Sequence, residues 1–73
     1  MTPTHYDQLI SPIQYMQIAL TPEEFKGFLK GNIIKYIARA EQKGGAADYY
    51  KAHVYANWLS EFTTNGEITF NEE

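Results

Sequence analysis

The sequence predicts an all-α fold, a compact three-helix domain with a short helix, a long central helix and a third helix, followed by a short extended C-terminal tail. Two helix starts are written almost identically, as "SPIQ" and "TPEE". Apolar residues recur at helical spacing through the stretches that follow. The chain has 73 residues and no cysteine. At that size one core supplies only a few kcal/mol of net stability, so self-association is expected to add to it.

Residues 1–10 read as an N-terminal arm, 11–62 as the helical body and 63–73 as the tail. Ser11 and Thr21 each offer a hydroxyl N-cap, with proline next and Gln or Glu three residues after the cap, which is the capping-box pattern. The first helix is expected over 12–20, with Ile13, Met16, Ala19 and Leu20 toward the core. The second is expected from Pro22 to Lys43. Phe25, Phe28, Leu29, Ile33, Tyr36, Ile37 and Ala40 form its broad apolar face. Gly27, Gly31, Ile34 and Ala38 make a second face of small and apolar residues. Glycine inside a helix costs roughly 1 kcal/mol relative to alanine, so two at four-residue spacing point first to a close approach by another backbone, the alternative being a merely kinked helix.

The "KGG" of residues 43–45 is expected to end this helix, with glycine as a left-handed cap. A third helix over 46–62 carries Ala52, Tyr55, Ala56, Leu59 and Phe62 at core spacing. Asn65-Gly66 signals a turn, and "EITF" alternates like a short strand with no partner strand in the sequence. The tail therefore lies on the body or is exchanged with a neighbouring subunit.

Composition narrows the function. Aromatic residues are 15% of the chain, which suits interfaces and ligand surfaces as well as a core. No apolar run approaches the roughly 20 residues that cross a bilayer. The start "MTPTHYDQ" lacks the basic and apolar regions of a signal peptide, so no membrane association and a cytoplasmic location are expected. Without Cys-rich or His-rich spacing, no metal site is expected. The net charge is −3, but its distribution is uneven. All six basic residues lie between 26 and 51, where only Glu41 and Asp48 oppose them; that segment is +4 and the remainder −7.

At about 100° per residue, Asn32, Lys35, Tyr36, Arg39 and Lys43 project within roughly a third of a turn. They form a cationic ribbon holding an amide and an aromatic ring. Like charges at four-residue spacing destabilise an isolated helix, so the ribbon calls for something negative. An acid from another helix meets that need, solvent screens it, or the ribbon binds phosphate. Arg offers a planar fork to phosphate oxygens, Lys a point charge and Tyr a surface on which a base stacks. The "GGAAD" turn adds N–H groups at a helix start, which also favour anions.

On the third helix Asp48, Lys51 and Tyr55 share a face. Asp48 and Lys51 pair with each other or face the ribbon across the turn, Lys51 then being a further phosphate contact and Asp48 and Tyr55 supporting it. His53 lies off the apolar face and reads as a surface histidine. His5 and Tyr6 reach phosphate if the arm folds over the ribbon, with Asp7 to orient His5. Long nucleic acids fit poorly, since the −7 remainder repels an extended polyanion.

Taken together, "HYDQ", "SPIQYM", "FKGFLKGNIIKYIARAEQKGG" and "DYYKAHVYANWL" resemble a small bacteriophage domain family of unassigned function. A related domain occurs in a phage nucleoside-monophosphate kinase that lacks a P-loop. The resemblance covers residues 5 to about 60 and marks His5, Tyr6, Asn32, Lys35, Tyr36, Arg39, Lys43, Asp48 and Lys51. It implies a phage-encoded protein of the host cytoplasm that binds a nucleotide. The present chain matches only the small domain of that kinase, and phosphoryl transfer needs two nucleotides, usually magnesium, and a positioned acceptor. Sequestration of a nucleotide or cyclic nucleotide, such as a host defence signal, without turnover and without a cofactor is therefore the leading expectation. A nucleotide kinase-like enzyme using magnesium is the alternative, and a helical module that inhibits a host protein stands third.

Overall fold

The structure is a computed structural model and describes residues 11–68. Those residues are all-helical, with no strand among them. The helices are α1 (Pro12–Ala19), α2 (Pro22–Arg39) and α3 (Gly45–Asn65), the last two joined by a π-helical turn, Ala40–Gly44. Both capping boxes form as the sequence specifies. The Ser11 and Thr21 hydroxyls accept from the N–H groups of Gln14 and Glu24, whose side chains accept in return from the cap N–H groups. The acidic first turn of α2, Glu23 and Glu24, also complements the positive end of the helix dipole.

α2 and α3 form an antiparallel hairpin. Phe25 meets Phe62 edge to face at 5.0 Å near the open end, and Arg39 meets Asp48 beside the turn. The core cluster is Phe25, Leu29, Phe62 and Ile68. Phe25 and Leu29 are fully enclosed. α1 contributes Ile13, Met16 and Leu20 to its edge, but buries no residue of its own. The body is thus a two-helix hairpin with a short helix laid on its open end, a departure from the expected three-helix core. An eight-residue helix presents only two turns of apolar surface and is held mainly by its cap and that edge.

Several expectations are corrected. Ile37 is 42% exposed and Ala56 and Ala19 are also exposed, while Trp58 packs against the core cluster. The buried stripes are narrower than the spacing predicts, because a two-helix contact covers less of each helix than a three-helix one. Gly27 and Gly31 lie exposed, and a Cβ added at either would meet nothing within 4 Å. Among the described residues no backbone crosses there, since α3 packs on the opposite face of α2. Ile34, on the same outward face, is 68% exposed.

α-Helical bonding ends at Arg39 rather than Lys43, and the wider π turn carries the chain to Gly44. Gly45 then adopts φ 58, ψ −141, a conformation open in practice only to glycine. α3 runs three residues past its expected end, to Asn65. Gly66, at φ 81, caps it by donating its N–H to the Phe62 carbonyl at 2.8 Å. The Asn65-Gly66 signal is a helix stop of the left-handed kind. Beyond it Ile68 is buried in the core cluster, and its N–H donates to the Gln17 side-chain oxygen at 2.7 Å. The tail therefore lies on its own body at Ile68. Among the described residues no helix is long and apolar enough to cross a membrane.

Candidate functional site

The site forms at the closed end of the hairpin. Arg39 ends α2, Asp48 lies in the first turn of α3, and the five-residue π turn brings them together. The Arg39 Nε–H donates to Asp48 Oδ2 at 3.2 Å, and Lys51 Nζ stands 3.8 Å from Asp48 Oδ1. Asp48 is only 2% exposed. A carboxylate buried that far is stable only when its charge is matched. Here each oxygen has a cation, and the helix N-terminus adds a favourable dipole. The side chains of Arg39 and Lys51 remain about half exposed, at 55% and 52%.

Tyr36 is the aromatic centre of the cluster. Lys35 Nζ lies 4.5 Å from its ring centroid, Lys51 Nζ 5.4 Å and Arg39 Cζ 6.0 Å. Such contacts contribute about 0.5–1 kcal/mol each at exposed sites. Tyr36 stacks on Tyr55 of α3 at 5.7 Å, with the planes 18° apart. Tyr55 in turn packs edge to face on Phe28 and Trp58. The cations are thereby tied to a relay of rings that leads back to the core. Desolvation, followed by the neighbouring Tyr36, raises the pKa of the Tyr55 phenol.

Of the residues singled out from the sequence, the structure unites Lys35, Tyr36, Arg39, Asp48, Lys51 and Tyr55. Asn32 is partly buried and donates its amide to the Phe28 carbonyl of its own helix at 2.9 Å. Lys43 is exposed on the π turn and, among the described residues, joins none of these contacts. His5 and Tyr6 lie outside the described residues. His53 is exposed, as expected, with its ring 6.0 Å from that of Tyr50. On the other flank of the turn, the Tyr49 hydroxyl donates to Glu41 at 3.2 Å. Among the described residues no group of three His, Cys, Asp or Glu is arranged to hold a metal ion.

Sequence reasoning missed the depth of Asp48 and the role of Gly44. A Cβ at position 44 would collide with Asp48 Oδ2 and Cγ and stand 2.9 Å from Asp48 Cβ. The available signal was the glycine pair followed three residues later by aspartate, which reads equally well as a plain helix stop.

In chemical terms the cluster is an anion-attracting surface. Three cations share one ring, and one buried carboxylate offsets a single positive charge. Arginine carries five N–H donors, and among the described residues Asp48 engages only Nε, which leaves the terminal nitrogens of Arg39 as donors for another acceptor. The family model of a protein of unknown function (DUF3310) matches residues 1–57, most of the chain. No curated protein and no solved structure matches it.

Proposed function

This chain belongs to the DUF3310 family, whose description assigns no activity, and from its geometry we propose that it binds a phosphate-bearing nucleotide and holds it without turnover. The observation that carries the reading is the gathering of Lys35, Arg39 and Lys51 around Tyr36, with Asp48 alone among the described residues to offset them. Phosphate oxygens meet the terminal nitrogens of Arg39 and the two ammonium groups, and the exposed edge of the aromatic relay receives the base. The negative charge elsewhere on the chain disfavours long nucleic acids while leaving a small ligand admissible. In the proposed setting the protein is phage-encoded, acts in the host cytoplasm and removes a nucleotide signal from circulation.

Turnover ranks below binding for a reason in the site itself. A phosphotransferase of the kinase-like kind needs a carboxylate to hold magnesium or orient the acceptor. Asp48 is the carboxylate within the cluster among the described residues, and it is buried and engaged by Arg39 and Lys51.

Self-association is the second part of the reading. It is supported by the thin core and by the outward α2 face of Gly27, Gly31 and Ile34, where Ile34 is 68% exposed. Gly31→Leu is expected to lower the oligomer mass measured by light scattering; an unchanged mass removes this face from the interface.

The binding test is calorimetric titration with nucleoside mono- and triphosphates and with cyclic di- and oligonucleotides, followed by mass spectrometry of the recovered ligand. Saturable binding with the ligand returned intact supports sequestration. A ligand returned phosphorylated replaces it with the kinase reading, and no binding to any of these probes overturns the nucleotide site.

A further inference from the structure

We infer that Asp48 and Gly44 form a positioning unit for Arg39, with Asp48 setting the orientation of the guanidinium and Gly44 supplying the only space in which Asp48 can do so. The inference rests on the proposed phosphate site for its consequence, though not for its geometry.

The oxygen that accepts from Arg39 Nε is Asp48 Oδ2. The same atom is the nearest neighbour that a Cβ on residue 44 would strike. Rotating the carboxylate away does not clear the clash, because Asp48 Cβ itself would stand 2.9 Å from the added atom. The backbone of Gly44 is ordinary, at φ −78, ψ −23, so alanine fits its conformation and is the better helix former. The glycine is therefore required for space rather than for backbone freedom. Its neighbour Gly45 is the opposite case, with φ +58 and nothing within 4 Å of a Cβ.

The arrangement has a directional consequence. Once Nε is engaged by a buried carboxylate, the planar guanidinium cannot swing freely, and its two terminal nitrogens present a preset fork to an incoming phosphate. Pre-organisation of this kind raises affinity by removing the ordering cost from the binding step. Lys51, 3.8 Å from Oδ1, is drawn to the same anchor.

Positioning and bulk charge make opposite predictions for Asp48→Asn. If Asp48 acts only as a negative charge near an anion site, its removal tightens the binding of inorganic pyrophosphate. If it positions Arg39, binding weakens, by about tenfold, the equivalent of 1.4 kcal/mol.

The experiment compares wild type, Gly44→Ala and Asp48→Asn. It measures hydrogen exchange and line shape of the Arg39 Nε–H by NMR, together with pyrophosphate affinity. Expected are a protected Nε–H in the wild type, its exchange accelerated by about tenfold or more in both variants, and weakened pyrophosphate binding in both. Ser60→Ala, at an exposed position of α3 that takes no part in the cluster, serves as the control and should leave both readouts unchanged. A Gly44→Ala protein that folds and keeps the wild-type Nε–H exchange overturns the inference, as does tighter pyrophosphate binding by Asp48→Asn. If Gly44→Ala fails to fold, the near-isosteric Asp48→Asn decides alone. Should wild type bind neither pyrophosphate nor any nucleotide, the proposed function fails, and the Nε–H exchange still decides whether the positioning unit exists.

Discussion

Tyr36 on α2 and Tyr55 on α3 stack with ring centroids 5.7 Å apart and planes 18° from parallel. This pair joins two regions that the chain separates by 19 positions. On one side stand the cations of the candidate site, and on the other Tyr55 meets Phe28 and Trp58. Changes at the site are therefore felt in the packing of the hairpin, and changes in packing are felt at the site.

Tyr55 makes this coupling visible as a pH dependence. Desolvation and then Tyr36 raise its pKa in the folded chain, while in the unfolded chain it ionises near pH 10. In that interval the folded state holds a proton that the unfolded state has released. Stability is therefore fully present below about pH 10 and falls as pH rises toward the folded value. The Tyr49 phenol shifts in the same sense, through desolvation and then the charge and hydrogen bond of Glu41, so Tyr49→Phe is the proper background. In it, adding Tyr55→Phe is expected to flatten the alkaline decline of the urea midpoint; equal declines would show that Tyr55 ionises alike in both states.

Arg39→Ala should leave the fold intact, since the side chain is half exposed, while weakening nucleotide binding by about tenfold or more. A hydrogen bond to a charged group contributes roughly 1.5–3 kcal/mol. Some loss of stability is also expected, because among the described residues Asp48 then keeps only Lys51 as a charged partner, at 3.8 Å. Unchanged affinity, with circular dichroism matching wild type, would take Arg39 out of the site.

Phe25→Ala removes a ring that is fully buried and packs edge to face on Phe62. Such truncations cost about 3–5 kcal/mol, comparable with the whole stability of a domain this small. The variant is expected to be largely unfolded at 37 °C by circular dichroism. A cooperative melt near that of wild type would mean that the core can collapse around the cavity.

Ile68 and Gln17 test how the tail is held. Ile68→Ala should cost about 2–4 kcal/mol as a buried aliphatic truncation. Gln17→Ala should cost about 1 kcal/mol for the bond to the Ile68 N–H. Both are read from urea midpoints at two protein concentrations. Losses that are independent of concentration fit a tail on its own body; a strong concentration dependence would indicate an arm shared between copies.

Much of the site was legible in advance because α-helices are periodic. Spacing alone put Lys35, Tyr36 and Arg39 on one stripe and Asp48, Lys51 and Tyr55 on another, and the two stripes do meet. Asn32 belonged to the first stripe by angle, yet a local carbonyl claims its amide. Lys43 was grouped by extrapolating α-helical geometry past Arg39, where the chain had already widened into a π turn. That extrapolation failed for a physical reason: a change from α to π bonding shifts the angular position of every later side chain.

What the sequence by itself determined is local. Capping boxes, helical class and the heart of the apolar face follow from hydrogen bonds and contacts within four residues, and these form wherever the chain is placed. What only the tertiary structure decided is which charge is buried and which faces stay open. Asp48 is buried because the hairpin turns at Gly44 and Gly45 and sets it beneath Arg39. Gly27, Gly31 and Ile34 are exposed because, among the described residues, one long helix packs against α2, and it does so on the opposite face. Burial depends on which distant segments arrive at a surface, and helical periodicity specifies the surface without specifying its neighbour.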